Sequence, residues 1–198
     1  GQTDTVARFS FAATDGPHGA GPITWAAIIG ARNTVDATTL ASGYDTSTWG
    51  LAAGMESRFP VATGDMTAGF GIDTTQTSLT SGLSSSEIQA LQLGLYSTYR
   101  SGPFTLSGAV SFGKLDYDFR RVIPIAGAAP AIARGKTDGN GFAASLRASY
   151  DVSDQSNPSF FLAPYAQVQH LSASMNGFTE TGAGVLNLAV AKDRFRQT

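Results

Sequence analysis

Gly135, Lys136 and Thr137 end like a phosphate loop, in which backbone N–H groups and a lysine cradle the phosphates of a nucleotide. The glycine that this chemistry requires five residues before Gly135 is Pro130, so the cradle is not formed. Gly69-Phe70-Gly71 lacks the third glycine of a dinucleotide fingerprint and lies in an alternating, strand-like stretch. No G-x-S-x-G nucleophile elbow occurs. His18 and His170 stand apart, whereas a zinc site takes three or four ligands. Asp116 and Asp118 flank Tyr117 but lack the glycine and distal glutamate of a calcium loop, which makes them solvated loop charges. These readings leave no catalytic constellation, no metal site and no cofactor, and the chain is not expected to be an enzyme.

The polarity of the chain is of an unusual kind. Charged residues make up 14% of its 198 residues, against roughly 25% in soluble domains. Lysine occurs only at Lys114, Lys136 and Lys192, while glycine reaches 23. Polarity comes instead from Ser, Thr, Gln and Gly. The net charge of −2, with no basic stripe, argues against a nucleic-acid partner. The absence of cysteine excludes a disulfide framework and a thiolate metal site. The longest apolar candidate, Ala126 to Ala133, is broken by Pro130 and is too short for a spanning helix. No signal peptide and no initiator Met are seen, so the ends read as processed or cut.

The elements that would carry any function are strands. Eight segments alternate with period two between turn signals. Leu91, Leu93 and Leu95 oppose Ala90, Gln92, Gly94 and Tyr96. Phe104, Leu106, Val110 and Phe112 oppose Thr105, Ser107, Ala109 and Ser111. Phe142 to Tyr150, Trp49 to Phe59 and Met66 to Ile72 behave alike. Leu186, Leu188 and Val190 oppose Asn187 and Ala189. Trp25 to Arg32 and Phe160 to Leu171 alternate less cleanly, the latter containing Pro164. Connections are short at Phe59 to Met66, Arg100 to Phe104 and Asp151 to Phe160. They are long at Asn33 to Thr48, Thr74 to Glu87, Asp116 to Asp138 and Ser172 to Gly184. Short turns at one end and long loops at the other are the habit of outer-membrane barrels.

A soluble barrel carries charge outside, whereas a membrane barrel turns its apolar face to lipid and keeps a polar lumen. Here the non-apolar face is built of Gly, Ala, Ser, Thr and Gln with sparse charge. Trp49, Phe59, Tyr99, Phe104, Phe142, Tyr150 and Phe160 fall near strand ends, as interfacial girdles do. The reading is an all-β chain, an antiparallel up-and-down transmembrane β-barrel in the bacterial outer membrane. Leu91, Leu93, Leu95, Leu186, Leu188 and Val190 are expected to face lipid. Glu56, Arg58, Gln92, Arg147 and Asn187 are expected to face the lumen. Gly50, Gly54, Gly69, Gly71 and Gly94 are expected where the inner face needs room.

Two stretches resemble the translocator β-domain of bacterial autotransporters, the type V secretion family. Gly177-Phe178-Thr179-Glu180-Thr181-Gly182-Ala183-Gly184 leads into Val185 to Val190 and follows Leu162-Ala163-Pro164-Tyr165-Ala166. Gln92-Leu93-Gly94-Leu95-Tyr96-Ser97-Thr98-Tyr99-Arg100 is similar to another strand of that family. The resemblance runs in order from about Trp25 to Thr198. It implies a twelve-stranded barrel of which this chain holds the first eight strands: a lead-in over 1–21 and a partial barrel domain over 22–198. It implies a passenger upstream, outer-membrane lipid around the barrel, and the barrel-assembly machinery as a partner. Two features depart from the pattern. The chain ends at Arg194-Phe195-Arg196-Gln197-Thr198 rather than on an aromatic strand end, and no plug helix is evident in the lead-in. Some such barrels cut their passenger with lumen acids; Glu56 is read instead as an ion-pair partner for Arg58 or Arg147, and Tyr96 and Tyr165 as lumen fillers. Two alternatives stay open: a stand-alone eight-stranded pore or adhesin barrel, and a soluble lipocalin-like ligand-binding barrel.

Overall fold

The computed structural model describes residues 21–37, 43–152 and 162–198. The lead-in, apart from Gly21, and Phe160 lie outside those residues. Seven long strands follow one another: β1 (Ile23–Val35), β2 (Tyr44–Val61), β3 (Gly64–Ser81), β4 (Ser84–Ser101), β5 (Phe104–Ile123), β6 (Ala131–Tyr150) and β7 (Tyr165–Met175). Then come β8 (Phe178–Thr179), a 3₁₀ turn at Gly184–Leu186, β9 (Ala189–Val190) and β10 (Asp193–Gln197). The main sheet has the order β1-β2-β3-β4-β5-β6-β7-β10, with β8 and β9 paired separately. Every pairing is antiparallel. Among the described residues β1 pairs only with β2 and β10 only with β7, so the sheet is open, as an incomplete barrel requires.

Strands β2 to β6 run for 18 to 20 residues, about twice the 9–11 that cross a bilayer. The connection expected over Thr74 to Glu87 is therefore mostly strand, closed by a tight turn at Leu83 beside Gly82, whose φ of 56° suits glycine. Much of Asp116 to Asp138 is strand as well. Hydrophobic alternation vanishes there because both faces are wet. The Thr-rich runs nevertheless keep their preference for extended backbone. Pro164 lies just before β7, where its carbonyl accepts from the Tyr150 N–H while its ring nitrogen cannot return the bond, so the regular strand starts only at Tyr165.

The largest correction concerns the end of the chain. Val185 to Val190 is not a barrel strand. Gly182 and Gly184 adopt positive φ and turn the backbone into the 3₁₀ segment. Leu186 lies in that segment and Val190 in the short β8–β9 hairpin, and Leu188 stands between them. Asn187 serves the same loop, its Oδ1 accepting from the Ala183 N–H at 2.9 Å. The eighth strand of the sheet is β10, formed by the residues that looked least like a strand ending.

The sheet is curved, with an inner face and an outer one. Trp25 on β1 and Tyr96 on β4 are separated by two strands, yet Trp25 Nε1 donates to the Tyr96 hydroxyl at 2.7 Å. Side chains on the opposite face diverge. Leu91, Leu93 and Leu95 are 54%, 61% and 61% exposed, whereas Ala90, Gln92 and Tyr96 between them are 5–6% exposed.

Candidate functional site

The inner face is polar and its large side chains lie across glycines. Trp25 stands opposite Gly54 in register, and Tyr96 opposite Gly69. A Cβ on Gly54 would meet the Trp25 ring at 2.5 Å, and one on Gly69 would meet Tyr96 Cζ at 2.5 Å. The glycines thus let the two rings lie flat along the wall and reach each other. The Tyr96 hydroxyl then donates to Glu56 Oε2 at 2.9 Å, and Glu56 is only 1% exposed. A carboxylate so buried needs hydrogen bonds, and the Trp25–Tyr96–Glu56 relay supplies one.

Asp73 and Gln92 face each other across β3 and β4 on the same wall, together with Thr67 and Ser111. The Asp73 Oδ1 and Gln92 Nε2 atoms are buried and without hydrogen-bond partners. The lumen cations sit elsewhere than expected from Glu56. Arg58 pairs with Asp65 at 2.7 Å, near the β2–β3 turn, because Asp65 lies two residues from Thr67, the register partner of Arg58. Arg147 on β6 is three strands removed from β2, and its guanidinium rests 4.3 Å over the Tyr165 ring.

The Gly177–Gly184 motif builds a second inner cluster by the same device. After β7 the backbone continues along β6: the Asn176 N–H donates to the Asp138 carbonyl, and Thr181 and Arg134 exchange both hydrogen bonds. Phe178 crosses β6 over Gly135, where a Cβ would collide with its ring, and stacks on Phe119 at 5.2 Å. Glu180, 7% exposed, reaches Arg121 on β5 at 2.5 Å and accepts from the Leu188 N–H at 2.9 Å. Ala133, fully buried, lies opposite Arg121 in register. The Arg121 guanidinium, aided by the Leu188 N–H, holds the Glu180 carboxyl below the usual carboxylate range. A carboxylate depressed in the folded state stabilises the loop fully above its unfolded value near 4.5 and loses that effect as pH falls through the depressed value. Backbone amides of the β8–β9 loop are therefore expected to lose exchange protection in acid, after correction for intrinsic rates. Arg121→Gln is expected to produce the same loss at neutral pH, and unchanged protection in that variant would show that the pair does not hold the loop. The small-residue positions were readable as alternation, but their pairing with particular aromatics needed the register.

The outer face carries an apolar belt of definite height. Phe59, Tyr99, Phe104 and Tyr150 point outward near the short-turn end. Trp49, Phe112 and Phe142 point outward at the other border, with Phe112 and Phe142 centroids 5.0 Å apart. Trp49 and Phe59 lie ten residues apart on β2, and Phe104 and Phe112 eight apart on β5. Those spans match a tilted strand crossing a bilayer between aromatic girdles.

Comparison with known proteins agrees with this geometry. A family model of the autotransporter β-domain matches residues 24–198. The translocator domain of the autotransporter NalP from Neisseria meningitidis superposes with a TM-score of 0.73 at 14% identity, covering 90% of this chain and 59% of that one. The β-domain of the Bordetella autotransporter BrkA superposes with a TM-score of 0.62 at 20% identity, covering 88% of this chain and 66% of that one. The chain thus spans about three fifths to two thirds of these domains. No curated protein sequence matches it. With a transmembrane girdle outside, a polar wall inside and the family match over nearly its whole length, the chain belongs to the autotransporter β-domain family of outer-membrane β-barrels.

Proposed function

We propose that this chain forms the first eight strands of a translocator barrel that anchors an N-terminal passenger and helps carry it to the cell surface. The observation that carries the reading is the open sheet: an apolar belt outside, a polar wall inside and, among the described residues, two unpaired edges at β1 and β10. An open edge cannot stay in hydrocarbon, because its N–H and C=O groups have no water to bond. Further strands following Thr198, four by family resemblance, would close the sheet against β1. Glu56, Thr67, Asp73, Gln92 and Ser111 give the inner wall the polarity that a conduit for a polar chain needs. The barrel acts as anchor and conduit rather than as a catalyst, and the assembly machinery and membrane lipid are its other partners.

The test is surface display. The full-length protein, expressed in a Gram-negative host, is expected to expose its passenger to added protease on intact cells. Deleting residues 22–198 is expected to abolish that exposure while the passenger is still made. Display that survives the deletion would overturn the reading.

A further inference from the structure

Beyond the Phe112–Phe142 border the outer surface is electrically lopsided. Short turns face the periplasm and long loops the exterior in such barrels, so this border is the outer-leaflet one. One register row beyond it runs Lys114, Asn140, Ser174 and Arg194 across β5, β6, β7 and β10. The register row of Phe112 and Phe142 continues through Ser172 to Arg196. Lys114, Arg194 and Arg196 are exposed, and small polar residues lie between them. Farther out, Arg120 and Arg134 stand directly opposite each other, also exposed. Like charges so placed destabilise a sheet unless an anion lies between them.

The acids of this surface are outnumbered by its cations: Glu87 accepts from Gln76 and Gln89, and Asp116, exposed two residues along β5 from Lys114, forms no ion pair among the described residues. Asp118 is held by Lys136 at 2.7 Å, and Asp138 accepts from Asn176 at 3.1 Å. None of Lys114, Arg120, Arg134, Arg194 and Arg196 forms an ion pair among the described residues. The β1–β3 side differs in number: outward-facing Arg32 there is matched by Asp45 two strand positions away on the neighbouring strand, whereas Lys114, Arg120, Arg134, Lys136, Arg194 and Arg196 outnumber Glu87, Asp116, Asp118 and Asp138. Cations set above an apolar belt, in excess of the acids beside them on one side only, complement a lipid with anionic headgroups whose acyl chains lie along the belt.

We propose that the outer surface of β5, β6 and β10 above Phe112 and Phe142 docks the phosphate groups of an outer-leaflet glycolipid, lipid A in chemical class. Lys114, Arg194 and Arg196 meet the phosphates nearest the acyl chains. Arg120 and Arg134 clamp anionic groups farther from the membrane. The inference deepens the membrane-barrel reading and rests on it.

The full-length protein, refolded into phosphatidylcholine vesicles, is titrated with diphosphoryl lipid A, and binding is followed by the rise in the midpoint of thermal unfolding on a gel-shift assay. The wild type is expected to gain stability with lipid A and to gain none with dephosphorylated lipid A. Combining Lys114→Gln, Arg194→Gln and Arg196→Gln is expected to weaken the response roughly a hundredfold in lipid A concentration, the product of three membrane-proximal cations. Arg32→Gln serves as the control and is expected to leave the response unchanged. An equal response from the triple variant, an equal gain from dephosphorylated lipid A, or the same gain from inorganic phosphate alone would each overturn the proposal. In those cases a folded, heat-modifiable protein in phosphatidylcholine still upholds the membrane barrel; a wild type that never folds in the vesicles overturns both.

Discussion

Replacing Leu93 by Arg is expected to destabilise the folded barrel by about 2–4 kcal/mol, the cost of setting a cation at mid-depth on a lipid face. Leu93 is 61% exposed on the outer face, in the middle of the Leu91–Leu95 stripe, with Ile72 and Phe112 as its register neighbours. Its neighbour in sequence, Gln92, is 6% exposed on the inner face opposite Asp73. Gln92→Arg therefore places the same charge beside a carboxylate that lacks a partner on one oxygen, and is expected to cost much less. Urea titrations of the full-length protein in lipid vesicles compare the two directly. Equal losses would mean that the exposed leucines do not face lipid.

The second large effect is expected at Gly69. A valine there would drive its Cβ into the Tyr96 ring and within 2.8 Å of the Met55 carbonyl. Tyr96 would have to leave the wall, and with it go the bond from Trp25 and the bond to Glu56. Overpacking together with the loss of a hydrogen bond to a buried carboxylate amounts to about 3 kcal/mol. Tyr96→Ala made beforehand is expected to absorb much of that cost, because the ring that the new side chain would strike is gone. If Gly69→Val costs as much in the Tyr96→Ala background as in the wild type, the Met55 backbone contact dominates and the aromatic does not set the requirement for glycine.

How far these features were legible in the chain follows from their physics. Alternation in Gln89 to Tyr99 is a local property, since period two forces successive side chains onto opposite faces whatever the rest of the molecule does. The scarcity of charge marked which face is expected to meet lipid for the same reason, as transfer costs belong to residue types. Both could be read without coordinates, and the open sheet agrees with the expected incomplete barrel. Where both faces are wet, as in Thr74 to Ser81 and Ser84 to Gln89, no hydrophobic pattern marks the strand. The hairpin projects beyond the belt because neighbouring backbones continue a ladder already begun.

The end of the chain shows the opposite limit. Val185 to Val190 alternates as well as any barrel strand, yet Gly182 and Gly184 turn it, and Arg121, 59 residues before Glu180, ties the loop to β5. Asp193 to Gln197 has little strand character of its own and becomes a strand because β7 offers it an edge. The amino-acid order by itself determined the strand period, which side chains share a face, and the family. Only the tertiary structure decided which aromatic crosses which glycine, which acid meets Arg58, and which segment continues the wall. Those outcomes depend on register, and register is set by pairing across the whole sheet.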